Sequence, residues 1–285
     1  MASLKEIKGR IQSVKSTLKI TSAMKMVASA KLHKAQAAIE GMLPYEQSLQ
    51  RTLDELLKHV RPDGRYADER PLGHVTLVCL SSNSSLCGSF NANIIREVRG
   101  RIASLRAEGV EEITVLPVGR KVAEALRKDG FLVSSDHAAL SARPSYEGAA
   151  ELSDRLVGDF LEGRTDRVEI LYNHFVSTAV LRPVREIYLP LAAVPSGEGE
   201  SFDEYIIEPD KEALLEALLP KILKLKIYTV LLDASAAEHA ARTVAMQTAS
   251  DNAEDLLQEL SLEYNKSRQA KITAEILDLA GGAQQ

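Results

Sequence analysis

One repeating pattern runs through the first sixty residues. Steps of three and four from Leu4 pass through Leu4, Ile7, Ile11, Val14, Leu18, Thr21, Lys25, Ala28, Leu32, Ala35, Ile39, Met42, Glu46, Leu49, Leu53, Leu56 and Val60, and only Thr21, Lys25 and Glu46 are not apolar. A 3.5-residue repeat held this long keeps one narrow apolar stripe facing a partner helix, the signature of a coiled-coil seam. At ~1.5 Å per residue such a helix would be roughly 90 Å long, more than a domain of this size needs, so the rod requires a partner. Ser3 followed by Glu6 has capping-box spacing and sets the start. Gly41 and Pro44 predict a kink or brief break, across which the repeat stays in phase.

The pattern changes after Val60. The stretch 61–71 is polar and marked by Pro and Gly, a linker. His74–Leu80 is a short β-branched run read as a buried strand, and Asn91–Ala107 has helical spacing at Ile94, Ile95, Val98, Ile102 and Leu105. Ile113–Val118 predicts a second strand, Lys121–Lys128 a second helix ending at Gly130, and Phe131–Ser134 a short strand. Ser145 caps a third helix to Leu161. Val168–Val176 and Leu181–Leu189 read as strands of a hairpin around Ser177-Thr178. Strands alternating with helices indicate an α/β layer with a largely parallel sheet. From Asp210 to about Leu279 helix returns, with a broad face at Leu214, Leu215, Leu218, Leu219, Ile222 and Leu225. An Ala-rich middle comes next, then a face at Leu256, Leu257, Leu260 and Tyr264; Pro220 predicts a local kink.

The expected fold class is therefore α/β: a long antiparallel coiled coil of the N- and C-terminal helices with an inserted Rossmann-like α/β domain. The parts are 1–60 (N-terminal coiled-coil helix), 72–200 (α/β domain) and 209–280 (C-terminal coiled-coil helix).

Composition adds limits. The chain has 285 residues, 45% hydrophobic and 26% charged, ordinary for a soluble globular protein. No apolar run approaches the ~20 residues that span a bilayer. The basic start lacks the apolar core of a secretory signal. Two cysteines, Cys79 and Cys87, suit a reducing compartment. Charge is uneven: residues 1–36 hold eight basic side chains against Glu6, a local +7, so the remainder carries −12 to give the total of −5. A basic amphipathic helix fits a membrane surface, a nucleic-acid arm, an acidic protein surface or simply a solvated face. Nucleic acid fits least, because the chain is acidic overall and its first 44 positions contain no aromatic residue to stack on a base.

Candidate chemistry is thin. The Ser81–Gly88 turn lies between strand and helix, where α/β folds bind phosphates, but it contains neither GxGxxG nor GxxxxGK[ST]. Gly119-Arg120-Lys121 is too short a signal. The six histidines form no HExxH and no close pair, and the cysteines have no zinc spacing. Cys87 beside Gly88 is either a reactive thiol at a helix N-terminus or a small packing residue. Glu111-Glu112 and Asp251/Glu254/Asp255 sit where exposed charge is ordinary. No catalytic residue, cofactor site or metal site emerges.

The ends are recognisable. Lys5–Val14 (KEIKGRIQSV) and Lys19–Ala28 (KITSAMKMVA) resemble the opening of the gamma subunits of F-type ATP synthases. So do Arg242–Ala253 (RTVAMQTASDNA), Tyr264–Ala270 and Ile272–Ile276 near the other end, with Leu86–Asn91 and Tyr205–Asp210 matching internal motifs in order. The resemblance implies the central rotor shaft: a non-catalytic subunit, without cofactor, that couples ion-driven rotation of the membrane c-ring to conformational cycling of the catalytic beta subunits. Its implied partners are the alpha and beta subunits, the epsilon subunit and the c-ring, with no nucleic acid. It would lie peripherally on the cytoplasmic face of the bacterial plasma (inner) membrane. By position, Met24, Lys25, Met26, Arg242, Arg268, Gln269 and Thr273 would contact the alpha/beta ring, Tyr205 and Glu208 would face the c-ring, and Cys87 would lie near epsilon.

Two departures stand out. Asn83-Ser84-Ser85 replaces the family's usual Asp-Arg-Gly, and the tail Gly281-Gly-Ala-Gln-Gln285 is polar where the family ends in apolar residues. The chloroplast form's redox insertion is not visible. The polar exceptions at Thr21 and Lys25 predict a seam that loosens as the helix turns outward to a changing partner. Read without the resemblance, the pattern also fits a coiled-coil adaptor with an α/β interaction domain, or an α/β enzyme with helical arms.

Overall fold

The computed structural model describes residues 3–59, 66–67, 70–133, 135–191 and 210–282. The order is α1 (Leu4–His59), β1 (His74–Leu80), α2 (Phe90–Ala107), β2 (Glu112–Val118), α3 (Arg120–Lys128), α4 (Ala138–Ala142), α5 (Tyr146–Leu161), β3 (Arg167–Phe175), β4 (Leu181–Leu189) and α6 (Lys211–Gly282). Contacts divide the chain into two units, residues 1–29 with 242–285, and residues 30–241.

The second unit is built on a four-stranded sheet of order β2-β1-β3-β4. β1 pairs in parallel with β2 and β3, and β4 closes one edge antiparallel to β3 as a hairpin. β1 is central and buried on both faces, which is why its sequence is a near-continuous apolar run. Alternate side chains serve two cores. Val75, Leu77 and Cys79 face Ile94, Val98, Ile102 and Leu105 of α2 and Val122 and Leu126 of α3. Val78 and Leu80 face Ala149, Leu152, Leu156 and Phe160 of α5, with Leu223, Ile227, Val230 and Leu231 of α6. The α1 side of this unit packs Leu32 and Ala35 on Ala236 and Ala240, and Leu53 and Leu56 on Leu215 and Leu219.

Local chemistry fixes the ends. The Ser3 hydroxyl accepts from Glu6 N, and the Ser145 hydroxyl from Gly148 N, each satisfying an orphan amide of the first turn. Asp210 accepts from Ala213 N at 2.7 Å at the start of α6.

The expected elements need one correction and two additions. Phe131–Val133 forms no strand (Ser134 lies outside the described residues): Phe131 N closes the α3 terminus on Leu126 O, Phe131 packs into the α2–α3 core, and Leu132 points into solvent. The alternation there reflects Phe131 and Val133 docking on the core on either side of Leu132 rather than a ladder. Ala138–Ala142 is a helical turn with no apolar period to reveal it. Both long helices run through Gly41, Pro44 and Pro220 without a break, so the brief break allowed at Gly41 and Pro44 does not occur. Buried Leu53 and Leu56 beyond Pro44, and Leu219 and Leu223 around Pro220, hold the chain helical where propensity opposes it.

A buried electrostatic clamp joins α2 to the sheet. Arg101 donates two bonds to Glu169 at 2.7 and 2.8 Å and a third to Glu108 at 2.8 Å, with Glu169 fully enclosed on β3. Removing one partner of a buried pair strands the other charge. Arg101→Met should therefore destabilise the protein by about 3 kcal/mol, the lower end of the range for such losses, because Arg167 remains 3.9 Å from Glu169. Denaturant titration measures it; a change below ~1 kcal/mol would show that the carboxylate finds another partner.

A second polar group links β4 to α6. Glu186 accepts from the Tyr172 hydroxyl at 2.7 Å and pairs with Lys226 at 2.5 Å. Burial pushes the Glu186 carboxyl up, but the Lys226 and Tyr172 contacts outweigh it and hold it below its ordinary 4.5. A depressed carboxylate contributes stability above its unfolded pKa and loses it as pH falls through the folded value. Unfolding free energy measured against pH should decline below about 4.5, and decline less steeply in Lys226→Met.

Candidate interaction surface

The first unit consists of the N-terminal part of α1 and the C-terminal part of α6. In this part of α1 the repeat positions Leu4, Ile7, Ile11, Val14, Leu18, Thr21, Lys25 and Ala28 are all buried or half-buried. α6 answers with a stripe of the same spacing: Arg242, Met246, Ser250, Ala253, Leu257, Leu260, Tyr264 and Ser267. In the sequence only its last apolar members stand out, because Arg242, Ser250, Ala253 and Ser267 disguise it; counting by three and four backward from Leu260 reveals it. Leu256, assigned to that face, is exposed.

Two hydrogen bonds fix how the stripes meet. The Thr21 and Ser250 hydroxyls lie 2.8 Å apart, both side chains buried, and Lys25 Nζ donates to Gln247 Oε1 at 2.8 Å. Gln247 Nε2 in turn donates to Asp251 at 2.6 Å. Rising numbers on α1 meet falling numbers on α6, so the helices run antiparallel there. The expected loosening at Thr21–Lys25 is therefore corrected: the polar exceptions are closed by polar partners on α6.

The predicted contact residues fall into distinct environments. Met24 and Lys25 are half-buried and Met26 is 64% exposed, with Ile20 and Val27 also exposed beside it. Arg242 is buried at the start of the α6 stripe. Arg268 and Gln269 are exposed, and the exposed Thr273 returns its hydroxyl to Gln269 O at 3.0 Å. Position 267 is half-buried, and from 268 to 277 every residue is exposed, including Ile272, Ile276 and Leu277. Tyr205 and Glu208 lie outside the described residues.

In the second unit, Cys87 is enclosed with Phe90, Phe175, Leu181 and Ala237. Its sulfur accepts from Asn91 Nδ2 at 3.2 Å, while Asn91 also holds Ser82. Cys79 lies on β1, and burial, with a smaller contribution from Glu169, pushes its thiol far up. The phosphate-type turn is closed on itself. Arg120 N donates to Asn83 Oδ1, Lys121 N to Ser82 O and Val122 N to Ser81 Oγ, so the amides that open α3 are spent on the Ser81–Asn83 segment. Gly119 makes this possible with φ +119°; a Cβ there would collide with the Ser81 carbonyl. Among the described residues no group of three His, Cys, Asp or Glu is placed to hold a metal, and no helix is long and apolar enough to cross a membrane.

This combination, long terminal helices, a four-stranded α/β sheet and an exposed helical end, has close counterparts. The family profile described as ATP synthase matches residues 3–285. The ATP synthase gamma chain of Phocaeicola vulgatus is 51% identical over 287 residues, 99% of each chain. That of Bacteroides fragilis is 50% identical over 288 residues, again 99% of each. Among solved structures, a chain of the Euglena gracilis mitochondrial ATP synthase OSCP/F1/c-ring assembly superposes with a TM-score of 0.66 at 20% identity, over 99% of this chain and 93% of that one. A chain of the Tetrahymena thermophila mitochondrial ATP synthase central stalk/c-ring gives 0.58 at 24% identity, over 81% and 99%. At such identities the structural likeness is one of fold, and the profile and the bacterial relatives carry the assignment. The class is that of ATP synthase subunits. Within it, the chain belongs to the family of F-type ATP synthase gamma chains.

The Thr21–Ser250 bond is testable on its own. Thr21→Val leaves a buried hydroxyl behind and should cost about 1 kcal/mol. Adding Ser250→Ala should recover most of that loss, giving a coupling energy of roughly 1 kcal/mol in a double-mutant cycle read by thermal unfolding. Strict additivity would mean the two hydroxyls do not act on each other.

Proposed function

We propose that this chain is the rotor shaft of the F-type ATP synthase, a non-catalytic subunit that converts rotation of a membrane c-ring into ordered conformational changes of the catalytic beta subunits, and the reverse during hydrolysis. In this reading α1 and α6 form an antiparallel coiled coil divided at 1–60 and 209–280, with the α/β domain of 72–200 inserted between them. The chain works at the cytoplasmic face of the bacterial inner membrane, held peripherally through its partners: alpha and beta around the coil, epsilon and the c-ring at the foot.

One observation carries the reading. The end of α6 past Ser267 is a single helix whose Ile272, Ile276 and Leu277 face water. Extending the Thr21–Ser250 register at the same spacing brings Ser267 opposite Leu4, and among the described residues α6 is exposed from 268 to 277. An isolated helix of about 15 residues is marginal in water and gains its stability from a surface laid against it. A ring of subunits around it supplies that surface. Arg268, Gln269 and Thr273 belong to this end and Met24, Lys25 and Met26 to the exposed flank of α1, so both contact sets fit the alpha/beta ring, with Arg242 bracing the coil between them. Tyr205 and Glu208 would serve the c-ring, and Cys87, being enclosed, would reach epsilon only through the loop that carries it.

Reconstitution with alpha and beta subunits tests this. The chain should join the complex at less than one copy per beta and raise ATPase activity; stable one-to-one binding to isolated beta, with no effect on hydrolysis, would favour the adaptor reading instead. Lys25→Leu provides a finer check. Trading the Lys25–Gln247 bond for an apolar seam contact should raise the unfolding temperature by a few degrees, roughly what ~1 kcal/mol yields. It should also lower the ATP made per ion translocated. Unchanged coupling in that variant removes Lys25 from the coupling surface.

A further inference from the structure

The outer side of the α2–α3 layer carries a groove that the shaft reading does not use. It has a volume of about 520 Å³, and Ala92, Ile95 and Ala125 are among its lining residues. Cations line both walls: Arg96 and Arg99 on α2, Lys121 and Lys128 on α3. The one acid in the lining, Glu124, bonds Lys121 at 2.9 Å and also feels Lys128 and Arg120; these cations hold its carboxyl below the ordinary range. Asp129 occupies Arg99 in a two-point pair at 2.7 and 2.8 Å. Among the described residues no carboxylate pairs with Arg96 or Lys128; Arg96 reaches only the Asn93 amide oxygen. Beyond Asp129, Leu132 stands 98% exposed, further out than any other large apolar side chain described.

We propose that this groove docks an acidic amphipathic helix of a partner protein. The small residues Ala92 and Ala125 let a third helix approach within the roughly 8–10 Å of ordinary helix packing. Lys121 and Lys128 are seven residues apart, about 10 Å along α3, so they match carboxylates two turns apart on a guest helix. In a chain of net charge −5 this local positive excess steers an acidic partner and selects against basic ones. A concave cleft with its cations on the walls favours a rod over a flat lipid surface.

The test uses the full-length chain and three probes: a synthetic helical peptide with a Leu row flanked by Glu, its Lys-for-Glu counterpart, and phosphatidylglycerol vesicles. The acidic peptide should bind and weaken with rising salt, and the Lys peptide should not bind. Arg96→Glu with Lys128→Glu should weaken binding roughly tenfold or more. Ala125→Trp, which fills the groove without changing charge, should abolish it while the circular dichroism spectrum stays unchanged. In the assembled complex a photo-crosslinker at Ala92 should label an acidic helical segment. Equal binding of the Lys peptide, indifference to the charge reversals, vesicle binding with the same charge dependence, or no crosslink at Ala92 would each overturn the proposal.

Discussion

Helices of 56 and 72 residues depend on covering their apolar stripes. Helix propensity contributes at most a few tenths of a kcal/mol per residue, so tertiary contact along the stripe decides whether such lengths persist. The first unit meets this need with two narrow stripes of identical spacing, placed opposite each other by one buried hydroxyl pair. The contact is antiparallel and mixes apolar with polar positions, the Thr21–Ser250 and Lys25–Gln247 bonds among them. A polar pair in an apolar seam costs stability relative to a hydrocarbon one, but it penalises every displaced register in which a hydroxyl faces a methyl group.

α6 changes character along its length because its surroundings change. Between Leu215 and Ala240 it is apolar over a broad arc, since it faces α1 residues on one side and the sheet core on another. After Arg242 only one stripe is buried, and the remaining surface turns polar or small. The same helix is thus a core element in one unit and half of a two-helix contact in the other. The width of its apolar arc records which role each stretch plays.

Much of this was legible in the sequence. β1, β2, β3, β4, α2, α3 and α5 lie within a residue or so of their expected bounds because strands buried on two faces, and helices buried on one, leave strong periodic signals. The signals failed where burial depends on partners remote in sequence. Phe131–Val133 has strand composition, but a strand needs a neighbour with a free edge in reach, and the chain instead uses Phe131 to seal α3 against Arg106 and the α2 core. The α6 stripe was hidden because its polar members make sense only beside α1: Ser250 is a seam residue by virtue of Thr21. The contact residues of the family motifs could be placed on faces, but no single-chain pattern tells an exposed Met26 awaiting a partner from one that is merely solvated.

The Asn83-Ser84-Ser85 segment, where the resemblance leads one to expect Asp-Arg-Gly, is internally consistent as it stands. Asn83 accepts from Arg120 N through Oδ1 and donates through Nδ2 to Ala138 O at 2.7 Å, tying the β1 turn to both α3 and α4. A carboxylate at this position keeps the first bond and loses the second, because it has no hydrogen to give. Ser84 contributes its backbone carbonyl to the Ser82 hydroxyl at 2.6 Å. Here the amide does with one side chain what needs both a donor and an acceptor, and α4, the helical turn with no sequence signature of its own, is anchored by it.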